Sequence, residues 1–240
     1  MNKLLVIKTG STAEDLRRKK GDFEDWIIDG MGIPRDQALI VDVQNGETLP
    51  DPVELSGTVI TGSHDMFSER LPWSERTAAW LKGAVETGLP VLGICYGHQL
   101  LAHAMGGEVQ FNPHGLEVGT VEVSLTENGL ADPLLGDLGN PLILQVSHAQ
   151  SVTRLPVGAR LLASSAMDPH QAFSIGQRAW GVQFHPEFDA EAVKTYIEID
   201  RSEILASGQD PQSVLEGVRD TPYGDVILQR FAACCGFSTA

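Results

Sequence analysis

The sequence predicts an α/β protein: an open, mostly parallel central sheet flanked by helices, with antiparallel additions and a helical C-terminal tail. Three observations predict it. Short apolar runs rich in β-branched residues recur through the first hundred residues, as strands buried on both faces require. Helical patterns fall between them, giving strand-helix-strand units. Of the 240 residues, 42% are hydrophobic but only 6% aromatic, so Val, Ile, Leu, Ala and Gly carry the apolar mass, which favours a buried parallel sheet over a β-sandwich. A chain of this length fills one large domain, and one unit over 1–240 is expected, with its core at about 1–190 and a helical extension at about 190–240.

The strands are read at "LLVIK" (4–8), "ALIVDV" (38–43), "GTVITG" (57–62) and "LPVLGI" (89–94), each bounded by turn residues. The charged stretch "AEDLRRKKGDFEDW" (13–26) reads as the solvated face of a helix, with a border on a pocket as the alternative. In "WSERTAAWLKGAVETG" (73–88), Thr77, Trp80, Leu81, Ala84 and Val85 follow helical spacing and Gly88 offers a left-handed stop. Residues 98–105 repeat that logic with Leu100, Leu101, Ala104 and Met105 on one face, ending at Gly106 and Gly107. From about 108 to 184 the texture changes to "VGTVEVSL", "PLILQV", "ARLLASS", "QAFSIG" and "AWGVQF", strands separated by Pro, Gly and Asn. After Phe188 the chain reads helical, in "DAEAVKTYIEIDRSEILASG", "DPQSVLEGV" and "YGDVILQRFAACC".

Charge narrows the function classes. A formal net charge of −15 and a pI of about 4.7 repel anionic phosphate surfaces, so neither nucleic acid nor a membrane is expected as a partner. No apolar stretch approaches the roughly 20 residues of a membrane span, and "MNKLLVIKTG" turns polar too early for a signal peptide, so a cytoplasmic protein is expected. Three cysteines, Cys95, Cys234 and Cys235, lack CxxC spacing and form no disulfide framework. Cys234 and Cys235 end an apolar helix and read as packing residues. His98 and His103 lie five apart and do not share a helix face, so no metal pair is expected. No phosphate-cradling glycine motif is present, and the reading calls for no cofactor.

Cys95 stands where a strand hands over to a helix, in "GICYG". A thiol is a nucleophile only as thiolate, and a helix N-terminus together with a nearby imidazolium favours that form. A sharp strand-to-helix turn leaves no room for side chains beside the nucleophile, a need that Gly93 and Gly97 meet, and it aims the Tyr96 N–H where an oxyanion forms. Taken alone, the pattern reads first as a buried structural cysteine beside a packing glycine. A base is found in "GVQFHPEF": in extended chain, His185 and Glu187 face the same side, so the carboxylate can orient the imidazole. Cysteine, histidine and carboxylate complete a triad.

At these two motifs, "GICYGHQLLA" and "GVQFHPEF", the sequence resembles the class I glutamine amidotransferase family over most of residues 38–190. The resemblance implies a flavodoxin-like fold in which Cys95 attacks the side-chain amide of glutamine through a γ-glutamyl thioester. His185 would pass the proton to ammonia and Glu187 would orient His185. It implies an oxyanion hole from Tyr96 and from the loop "ITGSHDMF", where Gly62 matches and Ser63 replaces a glycine. It also implies that Gln99 and the Ser147-His148 pair of "QVSHAQSV" border the substrate together with Gly62, while Gln150 replaces an acidic residue.

Three functions follow from that resemblance. The first is a glutaminase that delivers ammonia to a synthetase on another chain, since no ATP-using domain follows as it does in the glutaminase portion of GMP synthase. The second keeps the triad but hydrolyses γ-glutamyl peptides or amines. The third is a non-catalytic regulatory subunit that binds a metabolite in the same pocket.

Overall fold

The computed structural model describes residues 2–238. In chain order the elements are β1 (Lys3–Lys8), α1 (Glu14–Lys20), α2 (Phe23–Met31), β2 (Ala38–Asp42), β3 (Leu55–Ile60), α3 (Pro72–Glu86), β4 (Val91–Ile94) and α4 (Tyr96–Ala104). There follow β5 (Glu108–Phe111), β6 (Glu117–Leu125), α5 (Glu127–Leu130), β7 (Leu142–His148), β8 (Gln150–Arg154), β9 (Arg160–Ser164), β10 (Ala172–Ile175) and β11 (Ala179–Val182). The tail is α6 (Ala190–Ile199), α7 (Arg201–Ala206), α8 (Pro211–Glu216) and α9 (Tyr223–Cys234).

Nine strands form one sheet in the order β2-β1-β3-β4-β11-β10-β9-β6-β7, and β5 pairs with β8 in a separate ribbon. Strands β2, β1, β3, β4 and β11 run parallel, and the strands beyond β11 alternate in direction. The expected mixed α/β sheet with antiparallel additions is therefore the fold. Burial explains why the parallel runs read as continuous hydrophobic stretches: Leu4, Leu5, Val6 and Ile7 are all fully buried, with helices on both faces. One apolar layer packs β1 and β3 against α2 and α9, the other packs them against α3 and α4. A third cluster joins Leu16, Phe23 and Phe188 to Val193, Tyr196 and Ile197 of α6.

Three local readings differ from the structure, each for a backbone reason. The charged stretch 13–26 is two helices, because Gly21 takes φ 85° and Asp22 then opens α2 with a capping box. That break turns Phe23 inward. The helix read from residue 98 begins at Tyr96, directly after Cys95. The long pattern 189–208 divides at Asp200 into α6 and α7.

Candidate active site

The carboxyl ends of parallel strands β3, β4 and β11 lie side by side, the edge where open α/β sheets place their ligands. Cys95 follows β4 and caps α4, and its N–H donates to Val182 O of β11 at 2.9 Å. Its backbone sits at φ 50°, ψ −100°, a conformation that side-chain-bearing residues adopt at a cost of order 1–3 kcal/mol. The neighbouring glycines make the turn possible. A Cβ on Gly93 would stand 2.3 Å from Gly97 O, and one on Gly97 would stand 2.6 Å from Ile60 O. Helix α4 can therefore press against the sheet, and the N–H groups of its first turn, that of Tyr96 among them, have no acceptor within the helix.

His185 follows β11, held by its N–H to Gln145 O at 2.8 Å. Its Nδ1 is 2.8 Å from Glu187 Oε1, and the imidazole stands beside Cys95 over Gly62, with the Cys95 sulfur 3.8 Å from Ser147 O. Both side chains of the His185–Glu187 pair are buried. Burial alone opposes the imidazolium, but the charge of Glu187, then that of Cys95, and the hydrogen bond to Glu187 outweigh it and lift the His185 pKa to about 10. The ring also stacks on Phe188 at 3.9 Å between centroids and 14° between planes, so its position is fixed in the ring plane by the carboxylate and face-on by the phenyl. Gly62 leaves room for it, since a Cβ there would meet His185 Cε1 at 3.0 Å.

The loop after β3 carries Gly62 and Ser63. Ser63 is not among the positive-φ residues, so its side chain is accommodated without backbone strain. The Thr9 hydroxyl lies 2.8 Å from Thr61 O and 3.0 Å from Gly62 O, and the Thr61 hydroxyl lies 3.0 Å from Gly62 O as well. Because C=O and N–H of one trans peptide point in opposite directions, tying Gly62 O toward β1 turns the Ser63 N–H the other way.

Two hollows meet at Cys95. The larger, of about 190 Å³, is lined by Ser63, Gln99, Ser147, His148 and Gln150 among others. The smaller, of about 40 Å³, lies on the His185 side between Phe23, His64, Phe188 and Tyr196. Trp26 backs its wall, edge-on to Phe23 at 5.7 Å and to Phe188 at 5.9 Å. The structure thus brings together Cys95, His185, Glu187, Ser63, Tyr96, Gln99, Ser147 and His148. Two of these are already engaged within the chain. Gln99 Nε2 donates to Gln150 O at 2.8 Å and to Gln183 Oε1 at 3.1 Å. His148 Nδ1 donates to Gln150 O at 3.0 Å while Nε2 is 2.8 Å from Glu117 Oε2, so neither ring nitrogen is left for a ligand.

Sequence reasoning missed Phe23, His64, Phe188, Tyr196, Asp200 and Glu203, which also border these hollows. Only Phe188 had a local signal, its place directly after His-Pro-Glu. Burial, followed by repulsion from His185, pushes the His64 pKa down, so this second imidazole stays neutral beside a charged one.

A family model described as "Glutamine amidotransferase class-I" matches residues 40–201. The chain belongs to that family. Among its relatives, this amidotransferase is 37% identical over 142 residues to the glutamine-hydrolyzing GMP synthase of Aeropyrum pernix, covering 59% of this chain and 25% of that enzyme. The chain thus spans about a quarter of that relative's length. It is 34% identical over 154 residues to one subunit of the glutamine-hydrolyzing GMP synthase of Natronomonas pharaonis, covering 64% of this chain and 77% of that protein. The fold is shared with a glutamine amido transferase from Methylobacillus flagellatus, with a TM-score of 0.78 at 23% identity, over 98% of this chain and 95% of that one.

Proposed function

We propose that this class I amidotransferase hydrolyses the side-chain amide of glutamine through a thioester on Cys95. The observation that carries the reading is the placement of His185, paired with Glu187, beside Cys95 at the N-terminus of α4. The thiolate attacks the amide carbon and the carbonyl oxygen becomes an oxyanion facing the N–H groups of Ser63 and Tyr96. As the C–N bond breaks, His185 gives its proton to the departing nitrogen, which leaves as ammonia. Water then attacks the thioester with His185 as base, releasing glutamate and restoring the thiolate. No metal or cofactor enters this scheme.

The leaving group departs on the side of the acid that protonates it. That side is the hollow of about 40 Å³, walled by aromatic rings, against about 190 Å³ on the other side of Cys95. Such a space suits ammonia better than a peptide or a long amine, which favours glutamine over larger γ-glutamyl substrates. Similarity to a relative named as one subunit of a synthase supports an acceptor synthetase on another chain.

Glutamine should yield glutamate and ammonia in equal amounts, at a rate that Cys95→Ala reduces to background while the thermal midpoint stays within a few degrees. A glutamine-like electrophile should add one equivalent to Cys95 by intact mass. A γ-glutamyl dipeptide preferred over glutamine in kcat/KM would reject the ammonia reading in favour of a hydrolase, and a protein inert to both compounds and to the electrophile would leave only a binding role.

A further inference from the structure

Asp200 is an N-terminal capping residue that does not cap. It occupies the N-cap of α7, where aspartate ordinarily accepts a hydrogen bond from the first turn, yet its side chain makes no capping bond. The carboxylate is instead turned to the catalytic hollows and borders both of them, on the two sides of Cys95. Ser147, at the end of β7, borders the same two hollows beside it.

What this carboxylate lacks is a cation. No lysine or arginine lines either hollow, the charged imidazole of His185 on the smaller one is already paired with Glu187, and among the described residues no basic group lies within 4 Å of Asp200. The other two carboxylates of the larger hollow differ in kind: Asp65 accepts from Gln44 Nε2 at 2.6 Å, and Glu203 is exposed. Asp200 is half-buried, and burial together with the charge of Glu203 holds its carboxyl up to about 6. A partly desolvated anion without a counter-charge is destabilising until a ligand supplies one. A γ-glutamyl compound carries such a charge at the end remote from the scissile bond, on its α-ammonium group.

We propose that Asp200 receives the substrate's α-ammonium group and so restricts the enzyme to γ-glutamyl compounds with a free α-amine. This rests on reading Cys95 as the nucleophile toward a γ-glutamyl amide. It divides the labour of the chain: the strand ends perform the chemistry, and the helical tail, through the α6–α7 break, selects the substrate.

Comparing glutamine with its des-amino analogue, glutaramate, tests it. In the wild type, kcat/KM should favour glutamine by about 10- to 100-fold, the range of a charge-assisted hydrogen bond. Asp200→Asn, which keeps the shape and the place beside Ser147, should bring that ratio close to one by raising the KM of glutamine, with kcat and the glutaramate constants changed less than about threefold. Asp200→Ser is the second variant should the first fold poorly by circular dichroism. A ratio that stays at the wild-type value in either folded variant overturns the assignment. Dissociation constants of the two compounds on Cys95→Ala, with and without Asp200→Asn, give the same comparison without turnover. A wild type that binds with the stated preference but does not turn glutamine over therefore sinks the glutaminase reading alone. Equal binding of both compounds to Cys95→Ala sinks the Asp200 assignment alone, and no binding of either sinks both.

Discussion

At the scale of single residues, the loop that we propose supplies an oxyanion donor is held by a side chain from another strand's end. Thr9 is fully buried, and its hydroxyl reaches Thr61 O and Gly62 O. Thr9→Val keeps the volume and removes that tie, leaving the peptide before Ser63 free to rotate. Loss of one oxyanion donor costs 10²- to 10³-fold in kcat, so a donor that is merely loosened should cost about tenfold, with KM little changed. Thr9→Ser should restore the rate, and an unaltered kcat in Thr9→Val would show that Thr61 holds the loop alone. His185 gives a second residue-scale prediction. Its folded pKa of about 10 lies above the unfolded value of 6.5, so its contribution to stability is complete below about 6.5 and is lost as pH rises through about 10. Denaturant unfolding of wild type and His185→Gln should therefore differ most near pH 6 and converge toward pH 10. A gap that widens with pH would contradict the charged imidazole.

At the scale of elements, the turn from β4 to α4 depends on two close approaches of backbone to backbone. Gly93→Ala drives a methyl to 2.3 Å from Gly97 O, and neither the central strand nor the helix behind it can retreat without moving Cys95. Destabilisation of about 2–4 kcal/mol is expected, together with loss of activity, measured by the denaturation midpoint and by glutamate release. This is also where the sequence was most legible. The strand, the elbow, the helix and the His-Pro-Glu segment each depend on residues near one another in the chain, and periodicity and turn chemistry read such neighbours directly. The ribbon of β5 and β8 escaped because its strands are four and five residues long and largely polar. Phe23 and Asp200 escaped for a different reason. Each sits where one apparent helix is really two, and which way a side chain faces after such a break is set by packing from distant segments.

At the scale of the molecule, the tail is part of the body that carries the site. Ile227, Leu228 and Phe231 of α9 are fully buried in the layer that contains Leu4 and Val6, and α6 supplies Tyr196 to the wall beside His185. Removing residues 190–240 strips one face of β1 and opens the smaller hollow. The truncated chain should lose cooperative unfolding and bind a hydrophobic dye. A sharp transition in the fragment would show that the first 190 residues fold alone, against the expectation of one unit over the whole chain. Among the described residues no helix is long and apolar enough to cross a membrane.

The indole of Trp26 stands edge-on to the two phenyl rings that wall the space beside His185, and its Nε1 donates to Lys20 O at 2.9 Å. Any molecule that enters or forms there shifts those rings and with them the surroundings of the indole. The protein therefore carries a built-in optical reporter: if the proposed thioester forms on Cys95, its ultraviolet emission should change as the acyl group loads and return as it is discharged, making a synchronised first turnover visible in a stopped-flow trace without a label.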